Sequence, residues 1–373
     1  MRILVITSNY PSLQKPNYGA FVYNLMQELV HFHQITIIAP QKIHDKNKSK
    51  QVDSYGREMC AVKRPFFLSL SNKKIGFINT GAVSGYFYAK AVKKELYKLK
   101  QKPDIIYAHF LSNALPALDY AKKHDIPVVI ASGESTYTSF EKKASQIKNK
   151  LIQQVNHIIC VSKENQELLV KIGFNPKKIS VVPNAVNYEM FKPLDKEHCK
   201  QKIKVSNKFV IGFIGHFIHR KGPNRIIEAI EKLNDSEIHL VCVGSRGELK
   251  NNNFTTIIPP VPNELLPEIY NAFDIFVLPT LHEGSCNVIE EAKACCLPIV
   301  SSKGTSVEEQ IMDGETGILV DPMDIDAIAD AIEEIKRNKD FRERLIHNLK
   351  DRRGENSLAE RANRINKILL DLT

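Results

Sequence analysis

The sequence predicts an α/β fold made of two doubly wound units. Three observations carry that prediction. Near-continuous apolar runs rich in β-branched residues, such as "RILVIT" and "DIFVLPT", read as strands buried on both faces. Segments with apolar residues at helical spacing alternate with them, which is the pattern of a parallel sheet covered by helices. The alternation pauses near Phe191, in the polar stretch "KPLDKEHCKQKIKVSNK", and then restarts. A chain of 373 residues suits two domains better than one.

The elements follow in order. After "RILVIT", the segment "GAFVYNLMQELVHF" sets Phe21, Val22, Leu25, Met26, Leu29 and Val30 on one helical face. "QITIIAP", "DIIYAHF", "IPVVIAS", "NHIICVS" and "KISVVPN" read as further strands, with "LPALDYAKKH" and "KENQELLVKIG" as helices. Past the pause come the strands "FVIGFIG", "IHLVCVG", "TTIIPPV", "DIFVLPT", "LPIVSS" and "GILVDP". They alternate with the helices "PNRIIEAIEKL", "LLPEIYNAF", "NVIEEAKACC" and "IDAIADAIEEI", and "SLAERANRINKILLDL" closes the chain as a helix with an apolar stripe. Two such units joined by one linker make a cleft, and open α/β sheets bind ligands beyond the carboxyl ends of their strands.

Composition narrows the function classes. No apolar run approaches the roughly 20 residues that span a bilayer, and "MRILVITSNYPS" lacks a signal-peptide core and cleavage site, so a cytoplasmic protein is expected. Seven scattered cysteines without a CxxC pair read as reduced thiols, and no Cys/His cluster has zinc spacing. Residues 1–190 hold 27 Lys and Arg against 13 Asp and Glu, a net +14, while the rest nets −4. The basic half could meet nucleic acid, an anionic membrane surface or an acidic ligand; a Lys-rich solvated surface is the plain alternative. The Lys-rich loop from Gln41 to Arg57 and two basic helix candidates, Phe87 to Lys100 and "KKASQIKNKLIQQV", carry much of this charge. Such helices can lie on anionic membranes.

Two loops carry the chemistry. The strand "FVIGFIG" ends at Gly215 and leads through His216, His219, Arg220, Lys221 and Gly222 into a helix. Clustered cations at a strand–loop–helix edge can hold phosphate, although neither GxxxxGK[ST] nor GxGxxG is present. In "LPTLHEGSCNVIEEAKACCLP" the turn "LHEGS" places Glu283 at the carboxyl end of a strand. The backbone N–H groups around Ser285, Cys286, Asn287 and Val288 open the next helix, a natural anion seat, and Glu291 lies about one turn further in. Paired carboxylates can hydrolyse sugars, bind metals, cap helices or hold hydroxyls; an acid beside an anion seat suits sugar hydroxyls, which carboxylates accept from. "DID" at Asp324 to Asp326 reads as a helix cap, so no metal site is expected.

The ordered set "GHFIHRKG", "PNELLPEIYNAFDIFVLPTLHEGSCNVIEEAKACCLPIV" and "GTSVEEQIMDGETGILVDP" resembles the retaining GT-B glycosyltransferases of family 4, whose hallmark Glu-x7-Glu is matched by Glu283 and Glu291. "ITSNYPSLQKPNYGAFVYNLMQEL" looks like the family's N-terminal loop, and the resemblance runs from Arg2 to about Pro322. It implies two Rossmann-like domains facing each other across a cleft. Residues 1–190 would bind the acceptor, residues 191–355 the nucleotide-sugar donor, and helix 356–373 would pack back on the first domain.

It also implies roles. Lys221 would contact the donor diphosphate, and Glu283 would hold the donor-sugar hydroxyls. Ser285, Cys286, Asn287 and Val288 would offer N–H groups to phosphate, and Glu291 would bind the ribose. Pro260 and Val261 would meet the base through their backbone, and Gly19 would let the N-terminal loop approach the diphosphate. His109, Ser132 and Glu134 would face the cleft on the acceptor side. Three positions depart from the family: Gly215-His216-Phe217 replaces Gly-Arg-Leu, so His216 or Arg220 would substitute for the phosphate arginine; Ser132-Gly133-Glu134 stands where His-Gly is common; and Pro183-Asn184-Ala185 replaces Pro-Asn-Gly.

The resemblance therefore implies a metal-independent, retaining hexosyl transfer from a UDP- or GDP-sugar to a lipid-linked or polysaccharide acceptor in bacterial surface-polysaccharide assembly. No cofactor is required beyond the nucleotide sugar, and the inner face of the plasma membrane is the expected place of work. A sugar-nucleotide epimerase of the same fold, or a non-catalytic basic binding protein, are the alternatives; no recognised nucleic-acid motif is present.

Overall fold

The structure is a computed structural model that describes every residue except 13–14, 16–17, 46–58, 71–73, 76–77, 135 and 246. Most of the Lys-rich loop expected from Gln41 to Arg57 lies outside the described residues. The chain divides into two compact units, Met1–Val182 with Leu358–Thr373, and Pro183–Ser357.

The first unit holds a parallel sheet of seven strands: β1 (Arg2–Ile6), β2 (Gln34–Ile38), β3 (Ala61–Lys63), β4 (Ile105–His109), β5 (Val128–Ser132), β6 (His157–Cys160) and β7 (Ile179–Val181). Their order across the sheet is β7-β6-β5-β4-β1-β2-β3. The order reverses between β1 and β4, whose ladder pairs Ile3 with Ile105 and Ile6 with Ala108. Strands β4 and β5 are buried at every position, which explains their unbroken apolar sequences. Helix α1 (Ala20–Leu29) buries Val22, Leu25, Met26 and Leu29 at the expected spacing. Helix α2 spans Thr80–Leu96, starting earlier than the basic segment read from Phe87, and α3 spans Ser145–Gln154. Helix α4 (Lys163–Lys171) is capped by the Ser162 hydroxyl, which accepts from the Asn165 N–H.

The second unit repeats the plan with six parallel strands: β8 (Phe209–Ile214), β9 (Ile238–Val243), β10 (Thr255–Ile258), β11 (Ile275–Leu278), β12 (Ile299–Ser302) and β13 (Gly317–Val320), ordered β10-β9-β8-β11-β12-β13. Its helices include α5 (Pro223–Leu233), α6 (Leu266–Asn271), α7 (Asn287–Ala294), α8 (Ile325–Arg337) and α9 (Lys339–Asp351). Asp324 caps α8, its Oδ1 accepting from the Ala327 N–H at 3.0 Å, as "DID" suggested. The polar stretch between the two sequence patterns carries a short helix, Lys196–Lys202. The last helix, α10 (Leu358–Leu370), contributes Ala362, Ile365 and Leu369 to the core of the first unit. No described helix is long and apolar enough to cross a membrane.

Candidate donor and acceptor sites

In the second unit the strand order reverses between β8 and β11, so the loops leaving these two strands open beside each other. The sequence separates them by about sixty residues, and the fold brings their charged groups into contact. Lys221 Nζ lies 2.5 Å from Glu283 Oε1, and both side chains are largely buried. The same oxygen accepts from Arg220 Nη1 at 2.9 Å and from the Thr280 hydroxyl at 2.8 Å. One carboxylate oxygen thus gathers two cations and a hydroxyl. The hydrogen bonds found among the described residues fall on Oε1.

The two loops are also tied by their backbones. The Leu281 N–H donates to the Arg220 carbonyl at 2.8 Å, and the Ser306 hydroxyl donates to the Glu283 carbonyl at 2.6 Å. Arg225, on the first turns of α5, is buried and donates to the carbonyls of His219 and Pro279, at 3.0 and 2.6 Å. Gly222 turns the first loop at φ +76°, and a Cβ there would meet the Pro279 carbonyl oxygen at 2.4 Å and the Arg225 guanidinium.

The opening of α7 corrects one expectation. The Cys286 N–H is not open to a phosphate: it donates to Gln310 Oε1 at 2.7 Å. Gln310 Nε2 in turn donates to the Cys286 carbonyl at 3.2 Å and to Glu290 Oε1 at 2.8 Å. Asn184 holds the preceding residue, donating from its side chain to the Ser285 carbonyl at 3.0 Å and from its backbone to the Ser285 hydroxyl at 3.3 Å. The amides of Asn287 and Val288 have no intramolecular partner among the described residues, as helix geometry requires of a first turn.

Glu291, half-buried on α7, accepts at Oε2 from the Tyr270 hydroxyl at 2.7 Å. Burial pushes its carboxyl up to about 7, and the Tyr270 hydrogen bond opposes that rise. His216 is exposed, with Nδ1 3.2 Å from the Ser245 carbonyl oxygen. Arg220 is in the Glu283 cluster, so of the two substitutes for the phosphate arginine it is the one already at the carboxylate. Val261 is half-buried between β10 and α6.

In the first unit, Gly19 caps α1 at φ +78°, and a Cβ would stand 2.3 Å from the Asn9 carbonyl oxygen. The glycine is required by the chain's own close approach there. Ser132 is fully buried; its hydroxyl lies 2.6 Å from Glu134 Oε2 and 2.6 Å from the Tyr137 hydroxyl. Glu134 Oε1 accepts the Leu111 N–H at 2.8 Å, and burial raises its carboxyl. His109 ends β4 but does not lie open: it is buried among Phe21, Tyr107 and Phe110, with both ring nitrogens unpartnered. Burial lowers its imidazole to about 3.

Residues 19–190 match the family Glycosyltransferase Family 4, and residues 195–352 match Glycosyl transferases group 1. A structure of Anabaena Alr3699/HepE in complex with UDP and glucose superposes with a TM-score of 0.77 over all of both chains at 17% identity. The chain belongs to the glycosyltransferases of the GT-B fold. This glycosyltransferase is 27% identical, over 89% of its length and 88% of the relative's, to TuaC of Bacillus subtilis, a candidate teichuronic acid biosynthesis glycosyltransferase. It is 29% identical, over 65% of its length and 70% of the relative's, to the Escherichia coli UDP-Gal:alpha-D-GlcNAc-diphosphoundecaprenol alpha-1,3-galactosyltransferase. The sequence marked Lys221, Glu283 and Glu291 of this glycosyltransferase and named Asn184 without a role, but missed Thr280, Arg225, Gln310 and Tyr270. Of the missed residues, Thr280 had a local signal, as the last polar residue of the strand run before Glu283.

Proposed function

We propose that this glycosyltransferase moves a hexosyl group, with retention, from a UDP-sugar to a lipid-linked or glycan acceptor in bacterial surface-polysaccharide assembly. The observation that supports this best is the convergence of Lys221, Arg220 and Thr280 on one oxygen of Glu283 at the strand-order reversal of the second unit. The Escherichia coli relative names UDP-galactose and a diphosphoundecaprenol-linked sugar, and the Anabaena neighbour holds UDP and glucose, so UDP is preferred over GDP as the donor nucleotide.

In this reading, the donor diphosphate draws Lys221 away from Glu283, and the freed carboxylate takes the sugar hydroxyls. Lys221, Arg220 and the Asn287 and Val288 amides stabilise charge on the departing UDP. The bond from the anomeric carbon to the phosphate oxygen breaks, with its electron pair leaving on that oxygen. The acceptor hydroxyl oxygen bonds to the same face of the carbon, and its proton passes to the departing phosphate. With two cations and helix amides already at hand, the transfer proceeds without a metal. Glu291 holds the ribose. His109, Ser132 and Glu134 belong to the acceptor half, and the exposed lysines of α2 lie against an anionic cytoplasmic membrane face.

The test is thermal denaturation with UDP, GDP, ADP and NAD on wild type and Lys221→Ala, followed by NMR of the anomeric configuration of the product made from each UDP-sugar. A nucleotide at 100 times its Kd adds about 2.7 kcal/mol of stability. Stabilisation by UDP that the variant loses, with an unchanged anomeric configuration, supports the reading. Stabilisation by no nucleotide, or an inverted product, overturns it.

A further inference from the structure

Three residues of the first unit carry buried polar atoms without a partner: Tyr107 and His109, whose rings are 6.1 Å apart, and Arg361, whose charge acts on both. Tyr107 and His109 stand two residues apart on β4 and so point to the same face of the sheet. That face is covered by α1 and α10, and α10 brings Arg361 onto it. Tyr107, His109 and Arg361 are 1%, 4% and 6% exposed. The Tyr107 hydroxyl, both ring nitrogens of His109 and Arg361 Nε lack any hydrogen-bond partner among the described residues. No described carboxylate pairs with Arg361; its charged neighbour is Arg364, of the same sign, and the Tyr107 phenol is neutral.

Buried polar groups are nearly always hydrogen-bonded, and a buried charge is nearly always paired. An arginine that no described carboxylate pairs and whose Nε has no partner, beside a histidine and a tyrosine with orphaned polar atoms, is a set of donors without an acceptor. Its sum is one positive charge. The helix end adds to it: the Phe21 ring, on the first turn of α1, lies 5.4 Å from the His109 ring, so the positive end of that helix is close by. Water would satisfy the hydrogen bonds but leave the charge of Arg361 uncompensated.

We propose that Tyr107, His109 and Arg361 form an oxyanion site that takes a phosphate-class group. Arg361 supplies the charge and a forked pair of donors, the Tyr107 hydroxyl a third donor, and the neutral His109 ring one N–H. The group is either free phosphate or the phosphate ester of a bound acceptor. The second source rests on the transferase reading, whereas binding itself does not.

The experiment measures binding, so loss of transfer activity does not affect its readout. Inorganic phosphate and octyl phosphate are titrated into the full chain, as wild type, Arg361→Met and Tyr107→Phe, following the melting temperature. Wild type is expected to gain melting temperature with phosphate, with affinity about tenfold weaker or less in Arg361→Met and reduced in Tyr107→Phe. Without phosphate, Arg361→Met should melt at or above wild type, because it removes an uncompensated buried charge. Tighter binding of octyl phosphate than of phosphate assigns the site to an acceptor group, and equal binding assigns it to the free ion. Equal phosphate affinity in all three proteins places the ion elsewhere and overturns the proposal. An Arg361→Met protein that does not fold, with Tyr107→Phe matching wild type in phosphate affinity, overturns it as well.

Discussion

Lys221 Nζ and Glu283 Oε1 stand 2.5 Å apart, joining loops that follow two different strands of the second sheet. The pair holds the carboxylate in place, and in the proposed reading the ammonium turns from it to the donor phosphates. Lys221→Ala should lower kcat/KM by about 10²–10³-fold, the usual effect of deleting one group that meets developing charge. Glu283→Gln should lower kcat more than UDP affinity if, as proposed, its role is toward the sugar. UDP binding by calorimetry and steady-state kinetics separate the two. Equal loss of UDP affinity in both variants would contradict the division of labour.

Glu291 gives the protein a pH dependence near neutrality. Its carboxyl is raised by burial to about 7 and accepts from Tyr270. The folded protein therefore holds this proton more tightly than the unfolded chain. The resulting stability is present in full below the ordinary glutamate range and is lost as pH rises through about 7. Glu291→Gln should flatten denaturation midpoints measured from pH 5 to 8. If the ionised form binds the ribose, the donor KM should rise below pH 7 in wild type, with the inflection at higher pH in Tyr270→Phe.

Gln310 joins the Cys286 backbone to the buried Glu290. Gln310→Leu leaves the Cys286 N–H and part of Glu290 unsatisfied, at about 2–3 kcal/mol by urea denaturation. The donor KM should rise as well, because the turn before α7 loses its anchor. A stability loss with unchanged KM would confine Gln310 to folding.

Two glycines with nearly the same φ should respond differently. Gly19 and Gly304 lie at +78° and +72°, but a Cβ at Gly19 meets Asn9 backbone while at Gly304 it meets nothing within 4 Å. Gly304→Ala should destabilise by about 1 kcal/mol, the left-handed conformational term alone. Gly19→Ala should exceed that by several-fold, because backbone must shift.

The basic face of α2 tests the membrane reading. Lys90 and Lys94 are exposed, as are Tyr86 and Tyr97, at 64% and 61%. The Lys90→Glu/Lys94→Glu double variant should lose sedimentation with anionic phosphatidylglycerol vesicles, each lysine contributing about 1 kcal/mol. Binding that persists in the variant, or that ignores salt, would remove α2 from the contact.

By itself the sequence determined the two α/β units, because near-continuous apolar runs for strands buried on both faces and the 3.6-residue period of amphipathic helices are local patterns. It also marked Lys221, Glu283 and Glu291, whose motifs lie within single loop–helix segments. Only the tertiary structure decided which groups meet. Gln310 takes the Cys286 N–H from 24 residues away, Asn184 reaches Ser285 across 101, and Tyr270 reaches Glu291 across 21. These contacts depend on strand order and on hydrogen bonds that no local spacing encodes. The same holds for His109: the end of β4 was legible, but its burial beneath Phe21 and beside Arg361, 252 positions further along the chain, follows from the return of α10 to the first sheet.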